Sequence, residues 1–267
     1  MDEIKKVCDE ENITYYMVCG TLLGAVRHKG FIPWDDDLDI AMPRADFNKF
    51  ISICEKKLPE NLRLIWHTTD MRYWDGFAKV HNTNTVFLEY DYKNRYCETG
   101  IYVDIFPLDD AEKYGATVER QKKYSKFCFL MMREKVLPHA GSRFSDAVKR
   151  QAGNVIPNQI LRKIQENILT KNNEKGFEYY SSFGSFYSIK KQTIPKSWYG
   201  KPVLLSFEGR SYNAPEKYAL ILERIYGKDY MQLPPEEKRF CHYPLKVSFS
   251  NGTTLYYANN TKKTYKE

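Results

Sequence analysis

The sequence predicts an α/β chain of the α+β kind, with one mixed β-sheet flanked by helices and a helical elaboration after the core sheet. Three observations predict it. Acidic and apolar residues alternate in short runs, as in strands with one polar and one buried face. Elsewhere apolar residues recur three and four apart, the helical spacing. Near residue 111 the chain changes from short strands to longer helical stretches. The division is then a core at 1–110 that carries the acidic strands, an elaboration at 111–242 completing the same domain, and a tail at 243–267. At 267 residues the chain can bury a sizeable core.

Taken in order, residues 2–11 read as a short helix. Tyr15–Cys19 is a compact apolar run and reads as a strand. It ends at Gly20-Thr21, and Leu22–Val26 forms the first turns of a helix with Thr21 as its N-cap. From Asp37 the pattern is polar, apolar, polar, apolar through Leu38, Asp39 and Ile40, a second strand. Residues 44–58 form a helix, with Phe47, Phe50, Ile51, Cys54 and Leu58 on one side. Strands at 62–66, 76–81, 86–90 and 101–106 complete one mixed sheet. Asp109 and Asp110, past Pro107, read as loop residues. Helices are expected at 116–137, 144–152 and 157–171, with Phe127, Leu130 and Met131 on an apolar face. Residues 176–212 are irregular and strand-rich, with a hairpin at Glu208-Gly209. Pro215 suits the first position of a helix striped by Tyr218, Ile221, Leu222 and Ile225. Gly227 suits its C-cap.

The stretch from Gly20 to Arg44 carries the chemistry. In a strand Asp37 and Asp39 point the same way, with Cα atoms roughly 7 Å apart. Their carboxylates can converge on one hard cation, Mg²⁺ (or Mn²⁺), which takes oxygen ligands. A solvated acidic loop would have no use for Leu38 and Ile40. A calcium loop of the EF-hand type fails as well: its glycine position falls on Ile40, and its closing glutamate position on Asp46. The third carboxylate is expected from Asp104, a lone acid in the apolar run Ile101–Leu108. Such a group is costly to bury without a cation or a partner, and pairing with an Arg or Lys is the alternative. Gly20 and Thr21, on a strand-to-helix turn, offer backbone N–H groups and a positive dipole end to a phosphate. Arg27, His28 and Lys29 follow at the other end of that helix. Lys79 lies in Phe77-Ala78-Lys79-Val80, an alternating strand pattern, opposite in face to Ala78 and Val80. Together these residues read as the active site of an enzyme that moves a phosphate-containing group.

The runs Gly20–His28, Gly30–Ile40 and Val103–Leu108 resemble the LicD family. The resemblance continues at Phe207-Glu208-Gly209, at Tyr226–Met231 and at Pro234–Arg239, so it covers most of the chain to about residue 242. That family has a nucleotidyltransferase-type fold and includes bacterial phosphocholine transferases and relatives of fukutin. The resemblance implies transfer from a CDP-activated donor: a glycan or glycolipid hydroxyl attacks the phosphate next to choline, and CMP leaves. It makes Asp37, Asp39 and Asp104 the metal ligands, with Asp104 also the general base. Gly20 and Thr21 would hold donor phosphates, and Arg27, His28 and Lys79 would contact phosphate or acceptor. A quaternary ammonium needs aromatic faces, and Trp34 is the aromatic nearest in sequence to the acids. A polyol donor such as CDP-ribitol or CDP-glycerol, a nucleoside triphosphate, and a non-catalytic nucleotide-binding protein are the alternatives.

Composition agrees with an enzyme in the cytoplasm, compatible with peripheral contact at the inner face of a membrane. The charged N-terminus does not read as a signal peptide, and no apolar run is long enough to span a bilayer. The six cysteines show no metal spacing and read as reduced core thiols, Cys8 and Cys54 on helices and Cys19 in a strand. The net charge of +7, from 41 Lys and Arg against 34 Asp and Glu, suits nucleotides, anionic glycans or glycolipids. Nucleic acid is not expected, because the basic residues are spread out.

Overall fold

The computed structural model describes residues 1–71, 73–89, 99–136, 151, 155–185, 187–239 and 244–256. The expected helix at 144–152 lies almost wholly outside them, as do Cys97, Cys241 and the end of the tail.

A mixed sheet forms the centre. Its strands are β1 (Tyr16–Met17), β2 (Asp39–Pro43), β3 (Leu62–Ile65), β4 (Ala78–Asn82) and β6 (Tyr102–Ala111), in the spatial order β1-β2-β6-β4-β3. β2 and β6 are parallel; β1 against β2, and β4 against both β6 and β3, are antiparallel. The last residues of β6 pair with β7 (Tyr179–Ser181), which in turn pairs with β8 (Thr193–Pro195). Helices α1 (Asp2–Glu10), α2 (Cys19–Arg27) and α3 (Arg44–Lys57) flank this sheet. Ile4, Leu22, Phe47 and Phe50 join Ile40, Met42 and Ile105 in one apolar core. The expected α+β class is what the chain adopts.

The elaboration contains α4 (Ala116–Val136) and α5 (Asn158–Thr170), packed on each other. Single-turn helices α6 (Ile189–Gln192) and α7 (Lys196–Tyr199) lead to the hairpin of β9 (Val203–Phe207) and β10 (Arg210–Ala214), then to α8 (Tyr218–Tyr226). The hairpin turns at Glu208 (φ +50°) and Gly209 (φ +72°), as a tight two-residue loop requires. Gly227 ends α8 with φ +97°, its N–H on the Glu223 carbonyl at 2.8 Å. Among the described residues, no helix is long and apolar enough to cross a membrane.

Four local expectations need correction. Cys19 begins α2 rather than ending a strand. β5 (Val86–Leu88) leaves the main sheet and pairs with β11 (Lys246–Ser248), which pairs with β12 (Thr254–Tyr256). Pro215 does not start α8: the N–H groups of Glu216 and Lys217 are held by the carbonyls of Tyr199 and Trp198, so the helix begins at Tyr218. Asp109 and Asp110 are not loop residues, because β6 runs through Pro107 to Ala111. The Asp104 N–H reaches Leu38 on the β2 side at 2.7 Å. By alternation the N of Pro107 points to the other side. It falls between the last β4 partner, at Ile105, and the first β7 partner, at Asp109, where no ladder bond is lost.

Candidate active site

The register of three strands builds the site. Asp39 on β2 lies opposite Asp104 on β6, and Lys79 on β4 lies opposite Asp104 from the other flank. Directly opposed residues share a face of the sheet, so Asp39, Asp104 and Lys79 stand abreast. Asp37 lies two residues before the start of β2 and joins them half-buried. One carboxylate oxygen from each of Asp37, Asp39 and Asp104 lies within 4.8 Å of the others. Lys79 Nζ donates to Asp104 Oδ1 at 2.8 Å and lies over the Tyr102 ring, 3.4 Å from its centroid. Asp104 is thus both in the acidic cluster and paired with a cation.

Charge is distributed accordingly. Burial pushes the Asp104 carboxyl up to about 7; Lys79 pulls against that shift, and the nearby Asp37 carboxylate adds to it. Burial also opposes the charge on Lys79, but Asp104 and Glu89 hold its ammonium above the ordinary lysine value. Carboxylate oxygens gathered this closely are the hard donor set that Mg²⁺ or Mn²⁺ takes, so the residues fit a divalent cation.

The first turn of α2 adjoins this cluster. The Val18 N–H bonds the Asp39 carbonyl at 3.1 Å. Thr21 is the third residue of the helix, not its cap, and its Oγ1 accepts the Asp39 N–H at 2.7 Å. Val18 is the cap position and supplies no side-chain bond. The first intrahelical bond runs from the Leu22 N–H to the Val18 carbonyl, so the amides of Cys19, Gly20 and Thr21 have no intrahelical acceptor. Cys19 enters the helix with φ +49°, a conformation rare for a residue with a side chain and typical of functional turns. Burial, then the charges of Asp39, Asp37, Asp35 and Asp104, hold its thiol protonated. A Cβ on Gly20 would run into the Asp35 carboxylate and push it aside.

The other candidates lie at the far end of α2. Arg27 donates to the carbonyls of Tyr230 at 2.9 Å and Gln232 at 3.0 Å, tying the helix to the segment after α8. His28 meets the Trp34 ring edge-on at 6.4 Å, and Arg239 lies over the same ring at 4.5 Å. Burial and then Arg27 lower the His28 pKa, favouring the neutral imidazole. The loop between α2 and the acids is fixed by Glu208, whose Oε1 accepts the Phe31 N–H at 3.0 Å. A Cβ on Gly30 would strike that carboxylate and displace it from the Phe31 amide.

Two tyrosines join the site without having been singled out. The hydroxyls of Tyr187 and Tyr226 lie 3.0 Å apart. Burial raises both pKa values, and the charge of Asp39 adds to each shift. Tyr226 opens one of the runs that carry the family resemblance; Tyr187 has no local signal at all.

Residues 12–147 match the family model described as LicD/FKTN/FKRP, nucleotidyltransferase domain. The chain is 28% identical over 251 residues to the lipopolysaccharide cholinephosphotransferase LicD of Haemophilus influenzae, covering 91% of each chain. Over 46 residues it is 50% identical to uncharacterised proteins of Rickettsia prowazekii and Rickettsia typhi, 17% of this chain and 17% and 15% of theirs. The model match spans half of the chain and takes in all three carboxylates, Lys79 and the α2 turn: this chain belongs to the LicD/FKTN/FKRP nucleotidyltransferase-domain family.

Proposed function

We propose that the chain transfers phosphocholine from CDP-choline to a hydroxyl of a cell-surface glycan or glycolipid, releasing CMP, in a reaction that depends on Mg²⁺ or Mn²⁺. The observation that carries this reading is the meeting of Asp37, Asp39 and Asp104 beside the open first turn of α2. The chain is a phosphotransferase, and its near full-length similarity to a cholinephosphotransferase supports choline as the cargo.

Asp37, Asp39 and Asp104 would hold the cation, which when bound offsets phosphate charge and favours displacement at phosphorus. The amides of Cys19, Gly20 and Thr21, at the positive end of α2, receive a donor phosphate oxygen. Thr21 fixes the Asp39 backbone through its hydroxyl and thereby positions that carboxylate. Lys79 holds one oxygen of Asp104 and orients the other. Asp104 takes the proton of the attacking hydroxyl, whose oxygen bonds to the phosphorus next to choline as the bond to CMP breaks.

The test is incubation of the purified protein with Mg²⁺ and CDP-choline, CDP-glycerol, CDP-ribitol, CTP or ATP, with and without candidate glycans. Metal-dependent CMP release from CDP-choline is expected. CMP from a polyol donor would replace the cargo, pyrophosphate would replace the reaction with nucleotidyl transfer, and binding without turnover on true acceptors would overturn catalysis.

A further inference from the structure

A cavity of about 110 Å³ opens between α4, α5 and the segment 183–185, outside the acidic cluster. One water needs roughly 10–15 Å³ measured in that way, so the space holds a polyatomic group. Lys122, Lys126, Ser125, Ser185, Gln165 and Phe183 are among its walls. Its ammonium and hydroxyl groups keep donors to spare. Lys122 gives two N–H bonds to the carbonyls of Phe183 and Ser185 and keeps a third. Gln165 has its oxygen occupied by Arg162 and its nitrogen by Ser125. The hydroxyls of Ser125 and Ser185 accept bonds from Gln165 and from the Tyr187 N–H, and each keeps its proton to donate.

The two lysines are four apart on α4, a spacing at which like charges repel. Among the described residues no carboxylate forms an ion pair with either of them, and the Glu119 charge acts on Lys122 only from one turn away, less strongly than burial and Lys126 oppose it. Burial, then the charge of Lys126, pulls the Lys122 ammonium down to about 8. An oxyanion in the cavity would reverse both effects and receive charge-assisted bonds.

We propose that this cavity is an anion site, taking a phosphate or carboxylate group that donors from Lys122, Lys126, Ser125 and Ser185 surround. Gly76 in its wall lies two residues before β4 begins. The α5 wall of the cavity belongs to the Asp109 face of the sheet, so an acidic substituent on the acceptor would have to reach it round the end of β4, whereas a free anion needs no such path. The acceptor source rests on the transferase reading; the anion site itself does not.

The test begins with binding of inorganic phosphate to the full chain without divalent cations, followed by calorimetry and by NMR shifts of the 183–185 amides. Saturable binding is expected, weakened at least tenfold in Lys126→Glu, an exposed position whose fold is checked by circular dichroism, and in Lys122→Gln. Asp39→Asn should bind as the wild type does, since it lies at the other site. Equal phosphate binding in wild type and both lysine variants would overturn the proposal, as would no binding in any. A second arm compares acceptors with and without a phosphate or carboxylate group. A raised KM in Lys126→Glu for the anionic acceptor alone identifies the acceptor as the source. Lost phosphate binding with both KM values unchanged identifies a free anion as the ligand.

Discussion

β6 carries two buried aspartates, Asp104 and Asp109, five residues apart and therefore on opposite faces of the sheet. On one face Asp109 is closed off. Arg44 grips both of its oxygens at 2.7 and 2.8 Å, Asn173 donates to it at 3.0 Å, and Glu166 takes the remaining side of Arg44 at 3.3 Å. Acid and base alternate there, and the arrangement ties α3 and α5 to the sheet. On the other face Asp104 is gathered with two further carboxylates, and burial with Asp37 raises its pKa despite Lys79. Burial alone therefore does not distinguish a structural acid from a functional one. Alternation of sign holds a fold together, whereas accumulation of one sign opposes folding and invites a ligand.

The largest expected effect tests the functional side. Asp37→Asn or Asp39→Asn should lower turnover at least ~10³-fold, the scale of losing a group that stabilises transition-state charge. Thermal melting should be unchanged or slightly higher, because like-charge repulsion falls. Near-normal turnover in either variant would remove the metal assignment. Asp109→Ala should do the reverse. With Arg44 left buried and half-paired, stability in a urea titration should drop by about 3–5 kcal/mol, while activity per folded molecule is retained. A smaller effect is expected of Thr21→Val, which strips the acceptor from the buried Asp39 N–H: about 1–3 kcal/mol, with reduced turnover because Asp39 shifts.

A pH dependence with a definite sign completes the series. The Asp104 carboxyl is raised, so between its ordinary value and about 7 the folded chain holds a proton that the unfolded chain has lost. This contribution to the stability of the metal-free protein is full at low pH and declines as pH rises through that window. Melting scans with EDTA and with Mg²⁺ should show stabilisation by Mg²⁺ at pH 8 and much less at pH 5. Equal stabilisation at both would mean that protons and the cation do not compete at this cluster.

The acidic face was the legible part. Asp37 and Asp39 alternate with apolar neighbours, and a lone acid in an apolar strand is visible without coordinates. The pairing of Lys79 with Asp104 was not, because strand order β2-β6-β4 is a long-range outcome that periodicity does not encode. Asp109 was misread for a local reason: Pro107 signals a strand end unless its missing N–H falls in a gap between partners. The same limit hid Tyr187, which comes to the site only through the path of the chain between β7 and β8. Arg27 and Thr21 make contacts that residue type does not reveal: the guanidinium donates to the carbonyls of Tyr230 and Gln232, and the Thr21 hydroxyl accepts a strand N–H.

The carboxylate of Glu208 sits 177 positions along the chain from the amide of Phe31 that it holds. The stretch bearing the three acids is therefore not a module that could be cut out and transplanted. A fragment ending before the hairpin would keep every strand of the β1-β2-β6-β4-β3 array yet lose the brace on the loop that delivers Trp34 and Asp35–Asp37. Two separately expressed halves would regain a fixed loop only on reassociation, and insertions at the Glu208-Gly209 tip would be felt at the acids rather than locally.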